Sequence, residues 1–269
     1  MYLAQQDDFK RIVVTLGTGE SNRSVLEAAV QLAATLGAEL EGIFIEDSDL
    51  MRLADLPFTR EVRPWPSPVE SLSVERLQRE LRAMARQAEH MLEQTVAETG
   101  VSWSFRVWRG SATSEPLART FEADVLSLGR TSSRVHHKAR MHPLSRRKSV
   151  RYSVSSINVL FTDSKQGARA LVAACQLAKH LNVQLIVLLA ENNAEQIRGL
   201  EKAATEIIES NSMNAQFTVL SDADVSSLVR TVNAKDNTVL IAEASHPLLQ
   251  NENIDQCLET LSSPLLLVR

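Results

Sequence analysis

Displaced by 145 residues and without a gap, INVLFTDSKQGARALVAACQLAKHLNVQLIVLLAE (157–191) lies over IVVTLGTGESNRSVLEAAVQLAATLGAELEGIFIE (12–46). Ile12 falls on Ile157, Val14 on Val159, Leu26 on Leu171, and Ala28 and Ala29 on Ala173 and Ala174. Gln31, Leu32 and Ala33 fall on Gln176, Leu177 and Ala178, Leu36 on Leu181, Leu40 on Leu185 and Glu46 on Glu191. With small gaps the correspondence continues: Phe105 and Val107 match Phe217 and Val219, LART (117–120) matches LVRT (228–231), and residues 125–128 fall on 239–242. A repeat this long is a whole domain rather than a solenoid unit. The expectation is two tandem domains, 1–151 and 152–269, packed on each other as partners.

Within each copy the hydrophobic period switches back and forth. RIVVTL (11–16) is a short apolar run of the kind a buried strand needs, and Val25, Ala29, Leu32 and Leu36 then recur on one face of a helix. Ser21 or Asn22 can cap that helix, and Gly37 stands where a left-handed residue would end it. Residues 40–45 make a second strand. A Pro-rich passage, RPWPSPVE, precedes the longest helical pattern, carried by Leu77, Leu81, Met84, Ala88, Met91 and Thr95 and closed by Gly100. Residues 103–109 alternate like a strand, SEP (114–116) looks like a helix start, and residues 124–128 are a further apolar strand. Strands alternating with helices predict doubly wound α/β domains with parallel sheets. The first copy has little room between Gly129 and Ile157 for a further helix and a fifth strand, whereas the second has both at 251–261 and 264–268. An unpaired strand edge seeks a partner, so PLLLV (264–268) is expected to be buried at a contact, between the copies or between chains.

Composition excludes several functions. At 269 residues and 44% hydrophobic, the chain can fill one large core or two ordinary ones. Its formal charge is −4, yet residues 130–151 contribute +8 and no acid, which leaves −12 on the remainder. One local basic segment on an acidic body argues against a nucleic-acid-coating protein. Cys175 and Cys257 are too few for a disulfide framework, MYLAQQDDFK lacks the blocks of a secretion signal, and no apolar run approaches the roughly 20 residues of a membrane span. A soluble, cytoplasmic protein without a membrane partner is the expectation.

RIVVTLGTGESNRSVLEAAVQLAATLGAELEGIFIED, the following DLMRLADLPFTREV and the strand end DVLSLGR resemble the universal stress protein family in its two-domain bacterial form. The resemblance covers nearly the whole chain. It implies a Rossmann-like five-stranded sheet in each domain, frequent dimerisation through the last strand, and ATP binding in only some members. In those members an Asp ends the first strand, and a loop of the form G-x-x-G-x9-G-[ST] after the fourth strand wraps the phosphates, because only glycines let the backbone curl with its N–H groups inward.

Here the Asp position falls on Gly17 in the first copy and on Thr162 in the second, with Asp163 one residue late. Gly129 matches the first loop glycine, but Ser132 and His142-Pro143 stand at the later positions. The second copy offers Glu243, His246 and Gln256-Cys257. One glycine of six survives. The candidate ligand-binding residues are therefore Gly17, Thr18 and Gly19, in a Gly-rich turn before a helix N-terminus, and Gly129, Arg130, Thr131 and Ser132. The basic stretch that follows either replaces the lost amides with the charges of Arg130, Arg134 and Lys138 or is a solvated connection.

His136, His137 and His142 have no second cluster at ligand spacing, so no metal site is expected. Cys175 and Cys257 read as core thiols, and Trp65, among prolines, as a cover for a pocket or partner surface. No nucleophile, base and orienter group together, so no catalytic residues are assigned. Together with the resemblance, these absences imply a non-enzymatic stress-response or regulatory protein acting through protein contacts, with no obligatory cofactor and ATP binding weak or lost. The alternative is a nucleotide-binding module using non-standard contacts near Gly17 and Arg130. Other expected partners are the second copy itself and a homodimer through the C-terminal strand.

Overall fold

The computed structural model describes residues 9–16, 20–56, 60–61, 70–71, 74–110, 123–128, 154–250 and 252–269. In the first half the strands are β1 (Arg11–Leu16), β2 (Glu39–Asp47), the paired two-residue strands β3 (Arg60–Glu61) and β4 (Glu70–Ser71), β5 (Trp103–Gly110) and β6 (Val125–Leu128). The helices are α1 (Glu20–Leu36), α2 (Ser48–Ala54) and α3 (Val74–Val96). The second half holds β7 (Ser156–Leu160), α4 (Lys165–Leu181), β8 (Gln184–Leu189), α5 (Ala194–Ser210), β9 (Ala215–Val219), α6 (Val225–Asn233), β10 (Thr238–Glu243), α7 (Glu252–Thr260) and β11 (Leu265–Val268). Among the described helices none is long and apolar enough to cross a membrane.

Two helix ends share left-handed backbone at the spacings of the sequence correspondence. Gly37 ends α1 at φ 64°, and Asn182, 145 residues later, ends α4 at φ 54°. Gly100 follows α3 at φ 68°, and Ser212, its partner at the spacing that relates Phe105 to Phe217, adopts φ 54°. Left-handed backbone is costly outside glycine and tolerated by Asn, so equal conformations at equivalent places under different residue types mark equivalent turns.

Nine strands form one sheet in the order β5-β2-β1-β6-β11-β10-β7-β8-β9. The sequence predicts two parallel sheets. The structure instead joins the halves edge to edge: among the described residues the first half contributes four strands to this sheet and the second five, and β11 takes the edge of β6. β11 runs parallel to β10 on one side and antiparallel to β6 on the other, with Leu266 opposite Ser127 and Val268 opposite Val125. All four β11 residues are buried. Both edges of β11 are thus occupied within the chain, and a homodimer through it has no free edge to use.

Alternation along the strands sorts the core onto two faces. Ile12, Val14, Ile157, Val159, Leu185, Val187, Ile241 and Leu266 meet α1, α3, α4 and α5. Val13, Leu160, Ile186, Leu188, Leu240 and Leu267 lie on the other side, with α6 and α7. Helices on both faces of a mostly parallel sheet make this a doubly wound α/β fold. On the first face α1 and α4 touch across the join, and the repeated alanines Ala28, Ala29, Ala173 and Ala174 are buried. On the other, the buried carboxylate of Glu41 in β2 is held by Arg11 from β1 at 2.5 Å and Arg106 from β5 at 2.6 Å.

A polar clamp fastens the join. Asp124, just before β6, accepts from the amides of Lys10 at 2.8 Å and Arg11 at 3.1 Å with one oxygen, and from Arg169 of α4 at 3.1 Å with the other. Arg169 also donates to the carbonyl of Arg269, whose amide returns to the Asp124 carbonyl at 2.9 Å, and its guanidinium lies 4.9 Å from the centroid of Phe9. Burial alone would push the Asp124 carboxyl up, but the two amides and the Arg169 guanidinium together hold it below its ordinary value of 3.8. Its contribution is therefore present above pH 3.8 and is lost as pH falls below that value. Asp124→Ala strands three donors, and at about 1 kcal/mol each it should cost about 3 kcal/mol in urea unfolding at neutral pH. The same variant should unfold with less dependence on pH below 3.8 than the parent.

Candidate functional site

In open α/β sheets the ligand crevice lies beyond the carboxyl ends of the strands, where the strand order reverses. This sheet has two such points, between β1 and β6 and between β7 and β10. At the first, β1 and β6 pair in parallel, with Ile12 opposite Val125 and Val14 opposite Ser127, and Thr15 donates to the Ser127 carbonyl at 3.3 Å. The strands leading into Gly17 and into Gly129 are therefore neighbours. Gly17, Thr18, Gly19, Gly129, Arg130, Thr131 and Ser132 themselves lie outside the described residues, as do Trp65, His136, His137 and His142. Because β7 is antiparallel to β6, the end of β6 and the start of β7 share one edge of the sheet, three strand spacings or about 14 Å apart. The 129–155 connection is far longer than that gap requires.

The second crevice is described in full, and its own side chains fill it. Ser164 caps α4, accepting from the Gly167 amide at 2.8 Å. Its hydroxyl donates to the carboxylate of Glu243, which ends β10 at the position corresponding to Gly129 and is 4% exposed. Thr162, just beyond β7, donates to Ser164 at 3.2 Å. A Cβ at Gly167 would sit 2.2 Å from the Thr162 carbonyl oxygen, so α4 is pressed directly onto the end of β7. A helix N-terminus there attracts an anion, and the chain supplies one from its own strand.

The loop after β10 closes the corner. Ser245 donates to Gln166 of α4 at 2.6 Å, and Gln250 donates to the Ser245 carbonyl at 2.6 Å. His246 is 4% exposed and its Nδ1 accepts from the Leu248 amide at 3.1 Å, opening the short helical turn Pro247–Leu249. Burial pushes the imidazole down to about 4, with Glu243 pulling the other way. The residues leaving the ends of β7, β8, β9 and β10 include Asp163, Glu191, Asp222, Asp224 and Glu243 against Lys165 and Arg230, and that imbalance repels phosphate.

Chemically this corner is a cap and a plug. The Ser164 hydroxyl is shared between a carboxylate and an amide, with no imidazole to take its proton. The thiols of Cys175 and Cys257 are buried and pushed up to about 12 and about 11, far from a reactive thiolate. A shallow cavity of about 310 Å³ lined by Cys175, Gln176, Lys179, Ser210, Asn211 and Ser212 lies between the C-terminal ends of α4 and α5, away from the strand ends. Among the described residues no three His, Cys, Asp or Glu converge as metal ligands would. Sequence reasoning passed over Ser164, Gly167, Ser245 and the Arg169 clamp. A Ser three residues before a Gly at a helix start was a readable cap signal, but its bond to Glu243, 79 residues on, was not.

No family model matches the chain, and no curated protein matches it. Among solved structures it is similar to a universal stress protein from Archaeoglobus fulgidus DSM 4304, with a TM-score of 0.56 and 10% identity over 96% of this chain and 96% of that one. A universal stress protein in complex with cAMP matches 48% of this chain and 82% of its own at 18% identity, with a TM-score of 0.30. The first of these establishes a shared fold over nearly the whole length.

Proposed function

We propose that the chain is a non-enzymatic regulatory protein of the universal stress protein type. Its two tandem domains, 1–151 and 152–269, act through contacts with other proteins, and ATP is held weakly or not at all. The Glu243 carboxylate at the N-terminus of α4 carries this reading. It occupies the corner that a phosphate would need, and a like charge brought beside a buried carboxylate is repelled at low local dielectric. The first half of the sequence retains Gly17 and Gly129 but neither the Asp nor the later glycines of the resembled pattern. Side-chain cations alone attract an anion weakly, because exposed charge is screened within about 10 Å at ordinary salt.

Equilibrium dialysis with ATP and GTP at two salt concentrations is the test. The expected result is no ATP carried through purification, no ATP hydrolysis, and at most weak binding that disappears at high salt and does not separate ATP from GTP. Micromolar ATP binding that survives high salt and discriminates against GTP would overturn the proposal and favour a rebuilt nucleotide site near Gly17 and Arg130.

A further inference from the structure

We infer that the 243–250 corner is a proton-operated latch: neutral His246 holds it shut as the hydrogen-bond acceptor for Leu248, and protonation of the ring opens it while the sheet beneath stays folded.

The geometry assigns the tautomer. A backbone amide can only donate, so the 3.1 Å contact from Leu248 requires an unprotonated Nδ1. An imidazolium has no lone pair to offer, and its charge would be stranded at a site that is 4% exposed. The turn depends on this bond, because Pro247 has no amide to donate and the Leu249 amide already reaches back to the His246 carbonyl at 2.9 Å. Glu243 stands at the end of β10, Asp163 and Lys165 flank the Ser164 cap of α4, and α7, the helix packed on the turn, carries the acids Asp255 and Glu259. Among the described groups only Glu243 acts on the charge of the ring, and its attraction is outweighed by burial. That carboxylate is itself engaged by Ser164.

Opening has a defined extent. The ties from the corner to α4 are side-chain bonds, Glu243 with Ser164 and Ser245 with Gln166, whereas Ala244 is held by its amide to the Val268 carbonyl at 2.7 Å and β10 beneath by parallel ladders to β7 and β11. Losing the first set leaves the second intact, and it uncovers the N-terminal turn of α4. In the open corner the ring regains its ordinary value of 6.5, against about 4 when closed, so opening becomes easier as pH falls from 6.5 toward 4.

The test is hydrogen exchange of the full chain, read by mass spectrometry on peptides covering 243–250 and corrected for intrinsic rates. Between about pH 7 and about pH 4.5, protection of this corner should fall on the order of fifty-fold while peptides from β7 and β11 keep theirs. His246→Asn keeps a side-chain oxygen acceptor without a titratable ring, and its protection should stay flat over the same range. A His246→Asn protein with the parent's pH dependence, a parent whose corner stays protected throughout, or loss of protection in β7 and β11 together with the corner would each overturn the latch. Should His246→Asn not fold, the nitrogen shifts of the His246 ring in the parent decide instead. Their titration must follow the exchange profile, and a ring that titrates at its ordinary value rejects the idea.

Discussion

Deletion of residues 264–269 is expected to leave a chain that no longer forms its native sheet and accumulates as insoluble aggregate. Leu265, Leu266, Leu267 and Val268 are each at most 1% exposed. Full burial of such side chains is worth about 1.5–3 kcal/mol each, so the strand contributes roughly 6–12 kcal/mol. A domain's whole stability is about 5–15 kcal/mol. The loss is therefore comparable to everything that keeps the chain folded. It is also compounded, because removing β11 bares the edges of β6 and β10 together, and open apolar edges pair with other chains. Leu266→Ala is the graded version and should cost about 3 kcal/mol in urea unfolding while leaving a soluble protein. A soluble deletion protein with the parent's far-UV circular dichroism and cooperative unfolding would show that β11 does not hold the halves together.

The elements of this fold were legible where a local pattern decides them. RIVVTL and INVLF lead their halves because short runs with four apolar residues each, bounded by polar turns, have little choice but a buried strand, and Gly37 and Gly100 ended helices where only left-handed backbone continues the chain. The shortage of sequence after Gly129 left the edge of β6 without an evident partner from the first half, and β11 is the strand that pairs there. That PLLLV is buried at a contact was legible, but its antiparallel place on the edge of β6 was not. VLSL and LLLV are apolar at every position but one, so neither their direction nor their register is written in a periodicity. The clamp was hidden for a different reason. Asp124 and Arg169 are ordinary charged residues 45 positions apart, and only the folded sheet brings their helix and strand ends together.

The candidate site divides the same way. A missing glycine is visible in a sequence, and the expectation that the phosphate loop is degraded came from such absences at Ser132, Glu243 and His246. That Glu243 turns inward onto the cap of α4 depends on the exact seat of the helix against the strand, a matter of contacts closer than 3 Å. Gly167 sets that seat, and it drew no notice in the sequence because a glycine in the first turn of a helix ordinarily means little.

Gly167 and Gly199 should therefore respond to alanine with opposite signs. Both lie in helices, α4 and α5, where replacing glycine normally stabilises by up to about 1 kcal/mol because the unfolded chain loses freedom. At Gly199 an added Cβ meets nothing within 4 Å, and Gly199→Ala should show that gain. At Gly167 the same carbon would lie 2.2 Å from the Thr162 carbonyl oxygen and 2.5 Å from its hydroxyl, and the first of these is backbone that cannot swing aside. The helix must back away from β7. That movement loosens the Gly167 amide on Ser164 and the bond from Ser164 to Glu243, and it drags Arg169, two residues further on, away from Asp124. Overpacking of this kind costs about 1–3 kcal/mol, and the strained bonds add to it. We expect Gly167→Ala to lower stability in urea by about 3 kcal/mol and Gly167→Val by more, each with faster exchange at the corner over α4. A Gly167→Ala protein as stable as Gly199→Ala would mean that α4 does not rest on the strand end, and the plugged crevice built on that contact would have to be abandoned.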